Sequence, residues 1–175
     1  MKVVLVFVAS LDGKVTKWGQ PDVTSWSSKS DQEYFKKVWD DARLIIMGSE
    51  TYQTETFLPS TRHLLVVMTR DPSKYQDDAV PGKIIFTDES PALLTERFEK
   101  EGFERMLVVG GPHIASSFLR EQLIDELWLT IEPKIFGLGG NFVTEEKLDI
   151  SLTLISCEKV NEQGTLITKY TVAKN

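Results

Sequence analysis

Runs of apolar residues separated by amphipathic segments dominate the pattern along the chain. Residues 3–9 are continuously apolar, which is typical of a strand buried on both faces of a sheet. Shorter runs predict further buried strands over residues 44–47, 64–68, 83–86 and 106–109. Residues 126–131 alternate instead, and residues 151–160 and 165–172 predict an antiparallel hairpin around the polar turn 161–164.

Helical spacing of apolar residues fills the segments between the first strands. The helix before the second strand is predicted to begin at a capping box of Ser30 and Glu33. Its apolar face consists of Tyr34, Phe35, Val38, Trp39 and Ala42. Ser90 and Pro91 predict the start of another helix. Two more helices are predicted directly after strands, one that opens with residues 48–52 and one after Pro112.

This order of elements predicts one α/β domain over residues 1–175. We expect a three-layer α/β/α sandwich on a mixed, mainly parallel sheet that ends in an antiparallel hairpin. Ligands of such sheets bind at the carboxyl ends of the strands. Asp12, Gly48, Thr69 and Gly110 all come just after predicted strand ends, so we expect them near one site.

The turn at Gly110, Gly111 and Pro112 joins a predicted strand to a predicted helix. A helix N-terminus presents unpaired N–H groups and a positive dipole, which favour a bound phosphate or pyrophosphate. Glycine lets the backbone approach such a ligand closely. A tight turn that requires glycine for its own conformation explains the same residues, so the pattern alone leaves both interpretations open.

Composition narrows the class of partner. The formal net charge is −6 and no block of lysine and arginine is present, which argues against nucleic acid. The single cysteine, Cys157, cannot form an internal disulfide and suits the cytoplasm. The apolar run at residues 3–9 is too short to span a membrane. His63 and His113 lie far apart, and no spacing typical of metal ligands occurs.

Two segments resemble the reductase domain of riboflavin biosynthesis, which is a relative of dihydrofolate reductase. One runs from the glycine turn through Leu123-Ile-Asp-Glu-Leu127 to Pro133 and the glycines at 137, 139 and 140; the other is Ser10-Leu-Asp-Gly-Lys14. Met47-Gly48-x-x-Thr51-Tyr52 also resembles a signature of dihydrofolate reductases. The resemblance implies a dihydrofolate reductase-like fold, NADPH as cofactor, a small pyrimidine or pterin substrate and a homodimer.

The resemblance and the strand ends together indicate the cofactor residues. In the family the Gly110–Gly111 turn would contact the pyrophosphate. Ser49 stands where the dihydrofolate reductase signature often has a basic residue. Arg70 is the candidate for the 2′-phosphate because arginine binds phosphate through two parallel hydrogen bonds, although a surface arginine is equally compatible. The full predicted set is Ala9, Gly48, Ser49, Thr51, Thr69, Arg70, Val109, Gly110, Gly111, Pro112, His113 and Ile114.

Trp26 and Asp31 match the aromatic and acidic residues before and on the first helix of dihydrofolate reductases, where the carboxylate pairs with the amino-pyrimidine edge of the pterin. Asp31 is the candidate catalytic residue, since a carboxylate pairs with the amino edge of a pyrimidine or pterin. The helix dipole alone also favours an acid there. Asp12, in the loop over residues 10–24, is a second candidate substrate ligand, or a plain turn residue. Thr51 and Glu55 resemble residues near the substrate's ribosyl chain, where the family usually has aspartate at the Glu55 position.

Three functions follow from these features. The first is an NADPH-dependent reductase that converts a ribosylaminopyrimidine 5′-phosphate to its ribityl product. The second is reduction of a pterin, as in dihydrofolate reductase. The third is a nucleotide-binding module without catalysis, which the missing basic residue at Ser49 suggests.

Overall fold

The computed structural model describes residues 1–54 and 56–174. The strands are β1 Lys2–Ser10, β2 Leu44–Gly48, β3 Leu64–Met68, β4 Ile84–Thr87, β5 Arg105–Val108, β6 Glu126–Glu132, β7 Leu152–Lys159 and β8 Leu166–Val172. The helices are α1 Lys29–Asp41, α2 Ser49–Tyr52, α3 Pro91–Lys100 and α4 Pro112–Arg120, with 3-10 turns at Val23–Ser25 and Pro72–Tyr75. The predicted strands are all present, with ends shifted by at most one residue.

Among the described residues, the strands form one sheet in the order β4-β3-β2-β5-β1-β6-β8-β7. The six strands from β4 to β6 in this order run parallel. Strand β8 runs antiparallel to β6, and β7 runs antiparallel to β8. The predicted mixed sheet with a C-terminal antiparallel hairpin is therefore confirmed.

Helices cover both faces of the parallel part of the sheet. Val4 and Val6 of β1 point to the face that packs against α1 through Val38 and Ala42. The alternate residues of β1 point to the opposite face, which α3 and α4 cover. Because both faces are buried, the central strands are continuously apolar. This arrangement is the predicted three-layer α/β/α sandwich.

Helix α1 begins two residues before the predicted capping box. Its N-cap is Ser28, whose Oγ accepts the N–H of Asp31 at 3.2 Å. Ser30 lies inside the helix, so the prediction of a capping box at Ser30 and Glu33 was wrong. The backbone N–H of Ser28 donates to Glu132 on β6 at 2.7 Å, and this tertiary contact fixes the start of the helix.

The C-terminal hairpin leaves an uncovered edge. Its turn is held by Asn161, whose Oδ1 accepts the N–H groups of Gly164 and Thr165, both at 3.0 Å. Every residue of β7 is exposed, including three large apolar side chains. Leu152, Leu154 and Ile155 are 44%, 54% and 51% exposed. Among the described residues, no helix is long and apolar enough to span a membrane.

Candidate active site

Strands β2 and β5 end side by side, and a helix begins at each end. The N–H of Gly48 donates to the carbonyl of Gly110 at 2.8 Å, which joins the two turns. A Cβ on Gly48 would lie 2.9 Å from Cγ1 of Ile114, and a Cβ on Gly111 would lie 3.1 Å from Oγ1 of Thr51. A side chain at position 48 would therefore push the start of α4 away, whereas one at position 111 would require only a small shift of the Thr51 side chain.

A cleft of about 770 Å³ opens at these carboxyl ends and extends over β3 and β4. The predicted cofactor residues that line it are Gly48, Ser49, Thr51, Thr69, Arg70, Gly111, Pro112, His113 and Ile114. Its other lining residues are Glu50, Gln53, Met68, Asp71, Lys74, Tyr75, Thr87, Asp88 and Glu89. Residues from four separate strand ends thus meet in one concave surface.

Three predicted cofactor residues do not line this cleft. Ala9 is 2% exposed and pairs with Ile131 in the sheet. Val109 donates its N–H to Ile46 at 3.0 Å, next to the end of β5. Gly110 is buried and has a φ of +115°, with Phe7 beside it. Gly110 therefore provides the backbone conformation of the turn, while Gly111 faces the cleft.

Charges of both signs line the cleft. Arg70 is exposed and makes no hydrogen bond or ion pair with the described residues, so its guanidinium is free for a ligand. Two of the acids are already paired: Asp71 lies 3.6 Å from Lys74, and Glu89 lies 2.7 Å from Arg97. The ion pairs reduce the repulsion that these carboxylates would exert on a bound phosphate.

A second polar group lies beside β6, on the other side of β1 from the cleft. Asp31 of α1 is only 4% exposed. Burial raises the pKa of Asp31 to about 6, although hydrogen bonds with Thr130 and Ser27 oppose the shift. The negative charge of Glu132 adds to the increase. A carboxyl group with this pKa is partly protonated near neutral pH, so it can both accept and donate a proton.

Trp26 lies near the start of the same helix. It is 3% exposed, and its ring packs edge-on against Phe136 with 5.1 Å between ring centroids. Its carbonyl accepts a hydrogen bond from Lys134 Nζ at 2.5 Å. The indole Nε1 is buried and has no hydrogen-bond partner among the residues that the structure describes. A buried donor without a partner is costly, so a ligand or water is expected to satisfy it.

Thr130 and Glu132 belong to this group of residues, and the sequence analysis did not identify them. Glu132 is 1% exposed, and its two carboxylate oxygens accept from the N–H of Ser28 and the hydroxyl of Thr165. A signal was present in the sequence, because polar residues at 130 and 132 interrupt an otherwise apolar strand. Tyr75 and Asp88 of the cleft have no such signal, because they lie in the loops after β3 and β4 and belong to no sequence motif.

Asp12 ties two loops together. Its Oδ1 accepts from the Ser10 hydroxyl at 2.6 Å and from the Phe136 N–H at 3.1 Å. Its Oδ2 accepts from the Gly137 N–H at 2.7 Å. These hydrogen bonds, with the Ser10 bond the largest, lower the pKa of Asp12 to about 2. A role of Asp12 in substrate binding stays a prediction, since the protein itself uses both carboxylate oxygens.

Thr51 and Glu55 were predicted to lie near the substrate's ribosyl chain. Thr51 lines the cleft, whereas Glu55 lies outside the described residues. No group of three or more histidine, cysteine or acidic side chains suited to a metal occurs in the part of the chain that the structure describes.

The mixed sheet and the position of the cleft define a dihydrofolate reductase-like fold. The chain belongs to the RibD C-terminal domain family, whose profile matches residues 1–166. Its relatives include the uncharacterized protein YwjB of Bacillus subtilis, with 28% identity over 144 residues, covering 79% of this chain and 80% of YwjB.

Solved structures resemble the whole fold. A pyrimidine reductase-like protein from Corynebacterium diphtheriae superimposes with a TM-score of 0.81 and 15% identity, covering 99% of this chain and 92% of that protein. Dihydrofolate reductase from Enterococcus faecalis, in complex with NADP(H), superimposes with a TM-score of 0.66 and 15% identity, covering 98% of this chain and 94% of that enzyme.

Proposed function

We propose that the protein is an NADPH-dependent reductase of the riboflavin-pathway type, which reduces a ribosylaminopyrimidine 5′-phosphate to its ribityl product. The observation that carries this proposal is the cleft at the carboxyl ends of β2 to β5. There the start of α4, Gly111 and Arg70 line one cleft of about 770 Å³. Membership of the RibD C-terminal domain family supports the same reaction class.

The residues of the cleft fit a dinucleotide. The N–H groups at the start of α4 and the hydroxyls of Ser49 and Thr51 are suited to the pyrophosphate. Arg70 is suited to the 2′-phosphate, because a guanidinium binds phosphate through parallel hydrogen bonds. NADPH supplies a hydride when bound, and the protein's task is to orient it towards the substrate. The absence of a basic residue at Ser49 is offset in part by Arg70.

The order of the strands suggests how the cofactor would be oriented in the cleft. The glycine turn is at β5, Arg70 follows β3, and Asp31 packs over β6 on the opposite side. A cofactor with its 2′-phosphate at Arg70 and its pyrophosphate at Gly111 therefore directs its nicotinamide towards β1. That end faces the group containing Trp26 and Asp31, which we propose as the substrate site.

Asp31 is proposed as the catalytic residue of this site. Its carboxyl group can accept two parallel hydrogen bonds from the amino edge of a pyrimidine, and in its protonated form it can supply a proton. The unpaired indole N–H of Trp26 provides a donor for a substrate oxygen or a water. These residues would hold the substrate and move the proton.

A pterin reductase is the second candidate. The burial of Asp31 beside Trp26 favours it, because a buried carboxyl group recognises the amino edge of a pterin as readily as that of an aminopyrimidine. The two candidates differ in the substrate's phosphate, which only the pyrimidine route requires.

The decisive experiment follows NADPH oxidation with each substrate in turn. We expect turnover of the ribosylaminopyrimidine phosphate and slow or no turnover of dihydrofolate. The Asp31→Asn variant should lose turnover while it retains NADPH binding. Turnover of dihydrofolate alone would support the second candidate. NADPH binding without turnover of either would indicate a binding module.

A further inference from the structure

Tyr75 presents an aromatic ring to the cleft at its β3–β4 end. It closes the 3-10 turn that follows β3, and it is half-buried. Its ring is stacked on that of Phe86, with centroids 4.7 Å apart and planes at 5°. Tyr75 lines the cleft and Phe86 does not, which leaves the face of Tyr75 away from Phe86 as the one available to a ligand.

The surroundings of Tyr75 fix the orientation of this ring. The phenolic oxygen accepts a hydrogen bond from Gln53 Nε2 at 2.6 Å. The ring of Tyr52 packs edge-on against the ring of Tyr75, with centroids 6.3 Å apart and planes at 84°. The ring is therefore held in place before any ligand arrives, so binding to its open face requires little further ordering.

We propose that Tyr75 is the stacking surface for the adenine of the nicotinamide cofactor. This inference rests on the proposed function, because strand order directs the adenosine half of the cofactor towards β3 and β4. An adenine needs a flat apolar face, and among the described residues that line the cleft Tyr75 supplies the one six-membered aromatic ring. Arg70 and Lys74 line the same part of the cleft, where they can reach phosphates on the same nucleoside.

The test compares the two halves of the cofactor as separate ligands. Binding of 2′,5′-ADP, of reduced nicotinamide mononucleotide and of NADPH is measured by calorimetry on the full chain. Base stacking on an aromatic residue predicts that Tyr75→Ala weakens 2′,5′-ADP by roughly five- to 150-fold. Reduced nicotinamide mononucleotide, which has no adenine, should bind with unchanged affinity. Tyr75→Trp should retain adenine binding.

Tyr52→Leu is the matched control. Tyr52 belongs to the same aromatic cluster and contacts Tyr75, but it does not line the cleft. Its loss removes comparable packing and leaves the open face of Tyr75 in place. We expect Tyr52→Leu to lower the melting temperature and to change 2′,5′-ADP affinity much less than Tyr75→Ala does.

Three outcomes would overturn the inference. Equal weakening of 2′,5′-ADP by Tyr52→Leu and Tyr75→Ala would show that Tyr75 acts only through packing. Unchanged 2′,5′-ADP affinity in Tyr75→Ala, with NADPH still bound by the wild type, would place the adenine elsewhere and leave the proposed function intact. Failure of the wild type to bind either 2′,5′-ADP or NADPH would reject both proposals together.

Discussion

At the scale of single residues, the proposed function makes Arg70 the residue that would select NADPH over NADH. Its guanidinium has no partner among the described residues, while Asp71 and Glu89 beside it are already paired. We predict that Arg70→Ala weakens NADPH by about 1.5–3 kcal/mol, which is typical of hydrogen bonds to charged groups. NADH affinity should be nearly unchanged. Titration of both cofactors into wild type and variant measures the difference.

Arg62 offers a control for this prediction. It is also an exposed arginine, but it does not line the cleft. Arg62→Ala should leave both affinities unchanged, which would show that long-range charge is not the cause. An equal loss of NADPH and NADH in Arg70→Ala would remove Arg70 from the 2′-phosphate role.

Asp31 makes stability depend on pH. Burial raises its pKa in the folded protein to about 6 from an ordinary value of 3.8, so folding favours the protonated form. The contribution of Asp31 to the free energy of unfolding therefore falls as pH rises from about 4 to about 7. Replacement by asparagine removes this loss, and we predict that the stability advantage of Asp31→Asn grows by up to about 3 kcal/mol over that interval. Urea unfolding at a series of pH values measures it.

Asp40 provides the control with opposite sign. The hydrogen bond from Lys36 lowers the pKa of Asp40, so its ionised form favours folding. The wild type should therefore become more stable relative to Asp40→Asn as pH rises, whereas it becomes less stable relative to Asp31→Asn. A flat difference for Asp31→Asn would contradict the raised pKa of Asp31.

The limits of sequence reasoning at this scale are visible in Asp12 and Glu132. The position of Asp12 after a strand end correctly indicated a loop near the carboxyl edge. Ser10 is a local partner of Asp12, but its other two partners, Phe136 and Gly137, are more than a hundred residues away, and no local pattern reveals them. Glu132 is buried because Ser28 and Thr165 satisfy it, and that compensation exists only in the folded chain.

At the scale of elements, the glycine turn before α4 combines two requirements. Gly111 has a φ of −77°, which any residue adopts, but a Cβ there would lie 3.1 Å from Thr51 Oγ1. We therefore predict that Gly111→Ala folds with a melting temperature close to that of the wild type. If the cofactor binds this turn as proposed, the variant should lose the thermal stabilisation by NADPH, because the methyl group would lie beside Thr51 at the lining of the cleft.

A substitution at Gly110 tests the backbone conformation of the turn separately from its contact with a ligand. Its φ of +115° disfavours any side chain, and a Cβ would lie 3.3 Å from the Phe7 ring. Gly110→Ala should therefore cost about 1–3 kcal/mol of stability even without cofactor. If Gly111→Ala melts earlier but retains the full NADPH shift, the turn is a scaffold and the proposed pyrophosphate contact is wrong.

The elements themselves were predictable because their patterns are local. Continuous apolar runs identified β1 to β5, and the turn residues Asn161 and Gly164 identified the hairpin. The start of α1 was not predictable, since Ser28 and Ser30 are both suitable caps and a contact from β6 selects between them. The exposure of β7 could not be predicted either, because the sequence of a strand does not reveal whether another element covers it at the edge of the sheet.

At the scale of the whole molecule, the uncovered edge of β7 predicts self-association. An exposed strand with free N–H and C=O groups is a template for pairing with another chain. Because Leu152, Leu154 and Ile155 are about half exposed on that strand, we predict a homodimer that buries them. Light scattering at micromolar concentration should give twice the monomer mass, and Leu154→Lys should give the monomer.

Leu93→Lys serves as the comparison for the dimer prediction. Leu93 is 55% exposed on α3, away from β7, so the substitution adds the same charge without touching the edge. That variant should remain dimeric. A monomeric wild type at micromolar concentration would refute the dimer.

The central place of β1 also has a consequence for the order in which the chain folds. Strand β1 pairs with β5 and β6, which are synthesised after it and begin at Arg105 and Glu126. Its apolar run therefore waits unpaired during synthesis of most of the chain, and closing so long a loop is slow. An incomplete chain that lacks β5 also cannot join β2 to β1. Nascent chains of this protein therefore expose their most apolar strand for longest, which makes unfinished chains a target for chaperones and for aggregation.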